Sequence, residues 1–174
     1  VSQALTPMVA TARSIKQKSP QARVVFIGPC AAKKLEASRT SVRSDVDFVI
    51  TFEELAGIFA ARNIDFSYAI VDSSSCGYDE AWPAIEQCVH AYYPGVEVKI
   101  EHAEGLDACK KVLLLAKLGK KNGCLIEGMG CPGGCVAGAG TNVPVEKAAA
   151  EVHKFVENST KKIPPEDLYE IQLP

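Results

Sequence analysis

An α/β fold, a parallel β-sheet flanked by helices, is predicted by two observations. Short apolar runs such as RVVFI (23–27), VDFVIT (46–51) and CLI (124–126) alternate with amphipathic helical segments, a pattern that builds parallel sheets with helices outside. Two of these runs are followed at once by segments holding cysteine and glycine, GPCAAKKLEA (28–37) and EGMGCPGGCVAGAG (127–140). Ligands of open α/β sheets gather in the crevice beyond the carboxyl ends of the strands.

The elements follow in order. Residues 4–18 read as a helix, and RVVFI as a short buried strand. AAKKLEASRT starts helically and runs into a polar stretch. VDFVIT is a second strand that ends on Thr51, a plausible N-cap, with Glu54 completing a T-x-x-E capping box. The helix FEELAGIFAARN then ends at Asn63. FSYAIV (66–71) reads as a strand and DSSSCGYDE (72–80) as a loop. EAWPAIEQCVHAYY is a helix with Pro83 in its first turn, where proline is tolerated. Pro94 and Gly95 break it. VEVKIEHA (96–103) alternates as a strand, GLDACKKVLLLAKLGK (105–120) is a helix, and CLIEG (124–128) is the last strand. CPGGCVAGAG enters a loop or short helix, and residues 143–162 form the final helix.

Composition narrows the function. The 174 residues, 47% hydrophobic and 23% charged, suit one domain or a two-lobed unit with a real core. A formal charge of −2 and a pI near 6.0 give no basic footprint for nucleic acid. No apolar stretch is long enough for a membrane span. The start, VSQALTPMVATARSIKQ, lacks the order of a signal peptide, and without an initiator Met the chain is expected to be a piece of something longer. Seven cysteines in a chain of ordinary core composition fit a reducing cytoplasm better than a disulfide framework. Cys88, Cys109 and Cys124 fall in helix or strand patterns and are expected as small core hydrophobes.

Cys30, Cys131 and Cys135 remain, and three convergent thiolates suggest a soft-metal site, above all an iron–sulfur cluster. On a helix, Cys131 and Cys135 would share one face, with Pro132 at the first helical position. Gly133, Gly134, Gly138 and Gly140 would let backbone approach a bulky inorganic group. A tight glycine turn carrying two core thiols is the plain alternative. Zinc fits the spacing but leaves the glycines and Lys33 unexplained. The C-x3-C-x2-C loop of radical enzymes is rejected, because its third cysteine would fall on Gly138. Lys33 and Glu36 follow Cys30 at steps of three, so on a helical turn all three share a face. Glu36 would then fix Lys33 in support of a metal site, against the alternative of an exposed surface pair.

These segments resemble two signature motifs of the iron-only (FeFe) hydrogenase catalytic domain. Pro29, Cys30, Lys33 and Glu36 match P-C-x-x-K-x-x-E. Glu127, Met129, Cys131, Gly134, Cys135, Gly138 and Gly140 match E-x-M-x-C-x-x-G-C-x-x-G-x-G. The resemblance covers most of the chain and implies that residues 1–174 are the C-terminal portion of such a domain, built of lobes with parallel sheets. It implies that Cys30, Cys131 and Cys135 ligate the cubane 4Fe-4S part of the H-cluster, and that Cys135 bridges to its di-iron subsite. It further implies that Lys33 hydrogen-bonds a cyanide on that subsite, that Glu36 orients Lys33, and that Pro29 and Met129 line the pocket. The implied chemistry is reversible reduction of protons to hydrogen, with electrons from a ferredoxin-type donor or upstream iron–sulfur domains.

The chain departs from the family in three places. The first motif, T-S-C-C-P, which holds the fourth cubane ligand and the proton-relay thiol, is absent; Cys76 in SSSCGY matches no family ligand. Gly28 stands where catalytic members usually have Met, and Gly138-Ala139-Gly140-Thr141-Asn142 replaces the closing G-G-G-Q-P. Residues 72–95 also look shorter than the family stretch. The fragment is therefore expected to be inactive alone. A hydrogen- or redox-sensing or iron–sulfur-binding module is the alternative, and a plain α/β domain with zinc or no metal is a third. The hydrogenase-like proteins of cytosolic iron–sulfur assembly are also related, but the intact Lys33–Glu36 pair argues for the hydrogenase side.

Overall fold

The computed structural model describes residues 5–43, 45–65 and 81–160. They form two compact units, one of 5–43, 45–65 and 138–142, the other of 81–137 and 143–160. Each is an α/β unit built on a parallel strand pair. The expected strand at 66–71 and Cys76 lie outside the described residues.

In the first unit, helix α1 (Pro7–Lys18) begins later than the periodicity suggests. A residue before proline is pushed out of the helical region, so Thr6 stays extended and Pro7 opens the helix. Met8, Val9 and Ala12 lie on one face of α1 and pack on Val42 and Val46, with Leu5, Val24, Phe26, Ala37 and Val49 around them. Strand β1 (Val25–Ile27) pairs in parallel with β2 (Phe48–Ile50), Val25 opposite Phe48 and Ile27 opposite Ile50. Helix α2 (Ala32–Ser38) is the crossover.

β1 is not the fully buried strand expected. Val24 and Phe26 turn to the core, whereas Val25 and Ile27 are 42% and 44% exposed. Successive strand side chains alternate between faces, and the described core covers one of them. Asp47 ties this unit together: its carboxylate accepts from the Val24 amide at 2.8 Å and pairs with Lys16 and Arg23, each at 2.9 Å. The Val24 amide, then the two cations, hold its carboxyl far below the ordinary aspartate range.

Thr51 caps helix α3 (Phe52–Ala61) through the expected box: Thr51 Oγ1 accepts from the Glu54 amide, and Glu54 Oε2 accepts from the Thr51 amide at 2.8 Å. The helix stops at Ala61, and Asn63 takes a left-handed φ of 52°, a conformation common just past helix ends. Residues 138–142 lie against this corner. The Gly140 amide donates to the Pro29 carbonyl at 2.9 Å, and the Gly140 carbonyl accepts from the Glu53 amide at 3.1 Å.

In the second unit, helix α4 (Ala81–Tyr92) precedes strand β3 (Lys99–Glu104). β3 pairs in parallel with β4 (Cys124–Met129) over six residues, from Lys99 opposite Cys124 to Glu104 opposite Met129. Helix α5 (Leu106–Lys117) makes the crossover, and α6 (Val145–Asn158) closes the unit. Cys88, Cys109 and Cys124 are only partly buried, not the core thiols expected. Cys109 has a polar role as well: its Sγ lies within hydrogen-bond reach of the carbonyls of Ala103 and Met129, at 3.4 and 3.5 Å, near the ends of the two strands.

Gly140 and Gly57 give opposite expectations for an added methyl. A Cβ on Gly140 would stand 2.6 Å from Thr51 Cγ2 and nearer still to Thr51 Cβ, whereas one on Gly57, inside α3, meets nothing within 4 Å. Gly140→Ala is expected to cost about 3 kcal/mol of stability through overpacking. Gly57→Ala is expected to add about 1 kcal/mol. Chemical denaturation of both variants checks the pair; equal effects would contradict the packing described.

Candidate metal centre

Cys30 and Lys33–Glu36 belong to the first unit. Gly28 follows β1 and is buried, its amide bound to the Ile50 carbonyl at 3.1 Å. A Cβ there would meet the Phe26 ring at 2.9 Å, so Phe26 takes the room beside the position where the family usually carries Met. Pro29 presents its carbonyl to Gly140. Cys30 is partly buried in the turn that leads into α2, and its carbonyl accepts from the Lys33 amide at 3.3 Å.

Lys33 and Glu36 are one turn apart on α2, as their spacing predicts. Lys33 Nζ stands 2.6 Å from Glu36 Oε2, with side chains 25% and 17% exposed. This is a partly buried pair. The other Glu36 oxygen accepts from the Thr6 hydroxyl. Thr6 lies 30 residues upstream, so no local spacing announces it. Burial alone would raise the Glu36 carboxyl, but hydrogen bonds from Lys33 and Thr6 and the Lys33 charge hold it below the ordinary glutamate range.

Met129, Cys131 and Cys135 belong to the second unit. β4 runs on to Met129, so Cys131 begins two residues past the strand end. Of the loop or short helix expected here, the structure forms a loop, and no helical turn spans 131–135. Gly133 and Gly134 sit at φ of +87° and +73°, in the left-handed region that helices exclude. The chain instead makes a turn closed by the Gly134 amide on the Cys131 carbonyl at 3.1 Å, followed by one 3₁₀ turn at Cys135–Ala137. Pro132 therefore opens no helix, and the i, i+4 spacing does not set the distance between the thiols. Nor are they core thiols, since Cys131 is partly exposed and Cys135 exposed. Cys135 Sγ lies 3.8 Å from Met129 Sδ. Glu127, the first residue of this motif, pairs across the ladder with His102 at 3.4 Å.

The structure thus brings Cys30, Lys33 and Glu36 together on one short segment, and Met129 with Cys135 on another. Within either unit, no three His, Cys, Asp or Glu of the described residues group as a metal site. None of the six described cysteines is in a disulfide. Among the described residues no helix is long and apolar enough to cross a membrane. Sequence reasoning missed Thr6 on Glu36 and Glu104, whose carboxylate accepts from the Gly133 amide.

Comparison with known proteins gives the family and the fold. Residues 1–87 and 78–139 match the family described as the iron only hydrogenase large subunit, C-terminal domain. The periplasmic iron hydrogenase large subunit of Nitratidesulfovibrio vulgaris is 27% identical over 175 residues, covering 76% of this chain and 42% of that protein. A cytosolic iron–sulfur cluster assembly factor of Kluyveromyces lactis is 36% identical over 70 residues, 40% of this chain and 15% of that one. Among solved structures, a variant of the FeFe-hydrogenase HydA1 of Chlamydomonas reinhardtii superposes with a TM-score of 0.67 at 18% identity, covering 93% of this chain and 62% of that chain. An FeFe-hydrogenase studied for stepwise H-cluster assembly gives 0.58, with 89% and 60% covered at 18% identity. These structures share the fold. The chain spans less than half of the curated hydrogenase relative and about three fifths of these solved chains.

The Lys33–Glu36 pair sets a pH dependence. Folding lowers the Glu36 pKa, so its contribution is complete above the ordinary glutamate value of 4.5 and is lost as pH falls through the lower folded-state value. Glu36→Gln is expected to cost about 1 kcal/mol at neutral pH, with the gap to wild type closing below pH 4.5. Thermal melts across pH check this, and a gap that stays constant into acid would contradict it.

Proposed function

The chain belongs to the family formed by the C-terminal domain of the iron-only hydrogenase large subunit, and we propose that it is part of a longer protein that reversibly reduces protons to hydrogen. One observation carries this reading: the cysteines of both motifs lie inside the matched residues, and the Lys33–Glu36 pair of the first motif is formed. The intact Lys33–Glu36 pair favours this reading over that of an assembly factor, in which Lys33 would have no di-iron subsite to meet.

The donor set suits an iron–sulfur group. Cys30, Cys131 and Cys135 are soft thiol donors outside any disulfide, and the turn between the last two has no side chain at Gly133 or Gly134. In this proposal the three cysteines would hold the cubane, Cys135 would also serve the di-iron subsite, and a T-S-C-C-P motif of the parent would supply the fourth thiolate. When bound, the H-cluster would supply the metal site at which protons are reduced by electrons from an external donor. With the group bound, Lys33 Nζ would donate to an anionic ligand of the di-iron subsite. Glu36 orients Lys33, and the Thr6 hydroxyl fixes Glu36 in turn. Pro29 and the Met129 thioether line the pocket. The ferredoxin-type donor or upstream iron–sulfur domains remain the proposed source of electrons. We propose the cytoplasm as compartment, on the grounds of the cysteine usage read from the sequence.

The 174-residue chain by itself is expected to evolve no hydrogen. The longer parent, matured with the di-iron subsite and given a reduced ferredoxin-type donor, is expected to do so, and Lys33→Ala is expected to slow it roughly 100-fold. Gas chromatography of evolved hydrogen measures both. Robust evolution by the isolated chain would overturn its proposed inactivity. A parent that loads the cluster yet turns over no hydrogen would replace catalysis with sensing or iron–sulfur binding.

A further inference from the structure

We infer that Glu104 is a positioning residue for the Cys131–Cys135 loop, its carboxylate holding the Gly133 amide and so setting the turn that carries both thiols. The role rests on the reading of these cysteines as metal ligands; the contact itself does not.

Gly133 N donates to Glu104 Oε2 at 3.0 Å. Glu104 is the last residue of β3, opposite Met129 in the ladder. The next amide, that of Gly105, donates to the Met129 carbonyl at 2.9 Å, so the backbone on both sides of Glu104 is pinned to the strand pair. Pro132 lies against the same corner, since a Cβ on Gly105 would stand 3.4 Å from its Cγ. On its other side the loop is closed in: a Cβ on Gly133 would meet Ala137 Cβ at 3.3 Å and Val145 Cγ1 at 3.4 Å. Among the described residues Glu104 makes no ion pair, so its carboxylate serves this amide alone.

A loop with two adjacent glycines has many conformations to lose when it is ordered around a metal group. A charge-assisted hydrogen bond at its midpoint, anchored to a six-residue ladder, removes part of that freedom beforehand. The thiols are thus presented on a turn held by the sheet, although no helix forms there.

Two readouts on the metal-free 174-residue chain test this. The first is hydrogen exchange of the Gly133 amide by NMR. Glu104→Ala is expected to speed it roughly five- to tenfold, and Glu104→Gln, whose amide oxygen still accepts, to keep most of the protection. The second is titration with cadmium, a soft probe, followed by thiolate-to-metal absorbance. Glu104→Ala is expected to weaken cadmium binding about tenfold and Glu104→Gln at most about twofold. Unchanged exchange in Glu104→Ala would overturn the inference. So would equal loss of cadmium binding in both variants, because the carboxylate charge and not the held amide would then be responsible. If the wild-type chain binds no cadmium, the reading of these thiols as a ligand pair fails, while the exchange rates still judge the contact.

Discussion

Gly140 is the point on which the first unit turns. Its amide and carbonyl are bound to Pro29 and Glu53, and its bare Cα rests on the Thr51 side chain. Thr51 caps α3, and Glu54, which completes that cap, also takes Lys34 of α2 at 2.6 Å. One residue without a side chain therefore joins the loop that ends in Cys30, the start of α3 and, through Glu54, the helix that carries Lys33 and Glu36. Any side chain at position 140 would force these apart. The glycine-rich run is thereby divided between two tasks: its cysteines stand on the second unit and its last glycines anchor the first.

The two cysteine segments solve different physical problems. Cys30 opens a helix whose next turn bears a partly buried ion pair, braced by a hydroxyl from the residue that precedes α1. That arrangement fixes a cation close to a thiol in the sequence. Cys131 and Cys135 stand on a glycine turn at the end of a six-residue ladder, where exposure leaves the sulfur atoms accessible and Glu104 limits the freedom of the turn. Both designs place soft donors beyond strand ends, where an α/β sheet offers room for a ligand.

Much of this was legible in the sequence. The parallel strand–helix alternation, the Thr51–Glu54 box and the Lys33–Glu36 spacing are local patterns, and each is found as expected. What was not legible depends on distant partners or on backbone conformation. Thr6 reaches Glu36 across 30 residues, and Glu104 reaches Gly133 across 29. The i, i+4 spacing of Cys131 and Cys135 suggested a helix face, but two glycines at positive φ decide otherwise. Val25 and Ile27 read as core because apolarity does not say which face of a strand is covered. Cys109 read as a plain hydrophobe because the carbonyls it meets come from two other elements.

The central claim is that Cys30, Cys131 and Cys135 are ligands of one iron–sulfur cluster in the parent protein. Its most direct test is anaerobic iron and sulfide analysis with EPR, on the reconstituted parent and on single Cys→Ala variants. The account predicts a 4Fe-4S signal abolished or severely weakened by Cys30→Ala, Cys131→Ala and Cys135→Ala, and retained in Cys109→Ala. Iron-free protein, stoichiometric zinc in its place, or a cluster indifferent to Cys30 would contradict it.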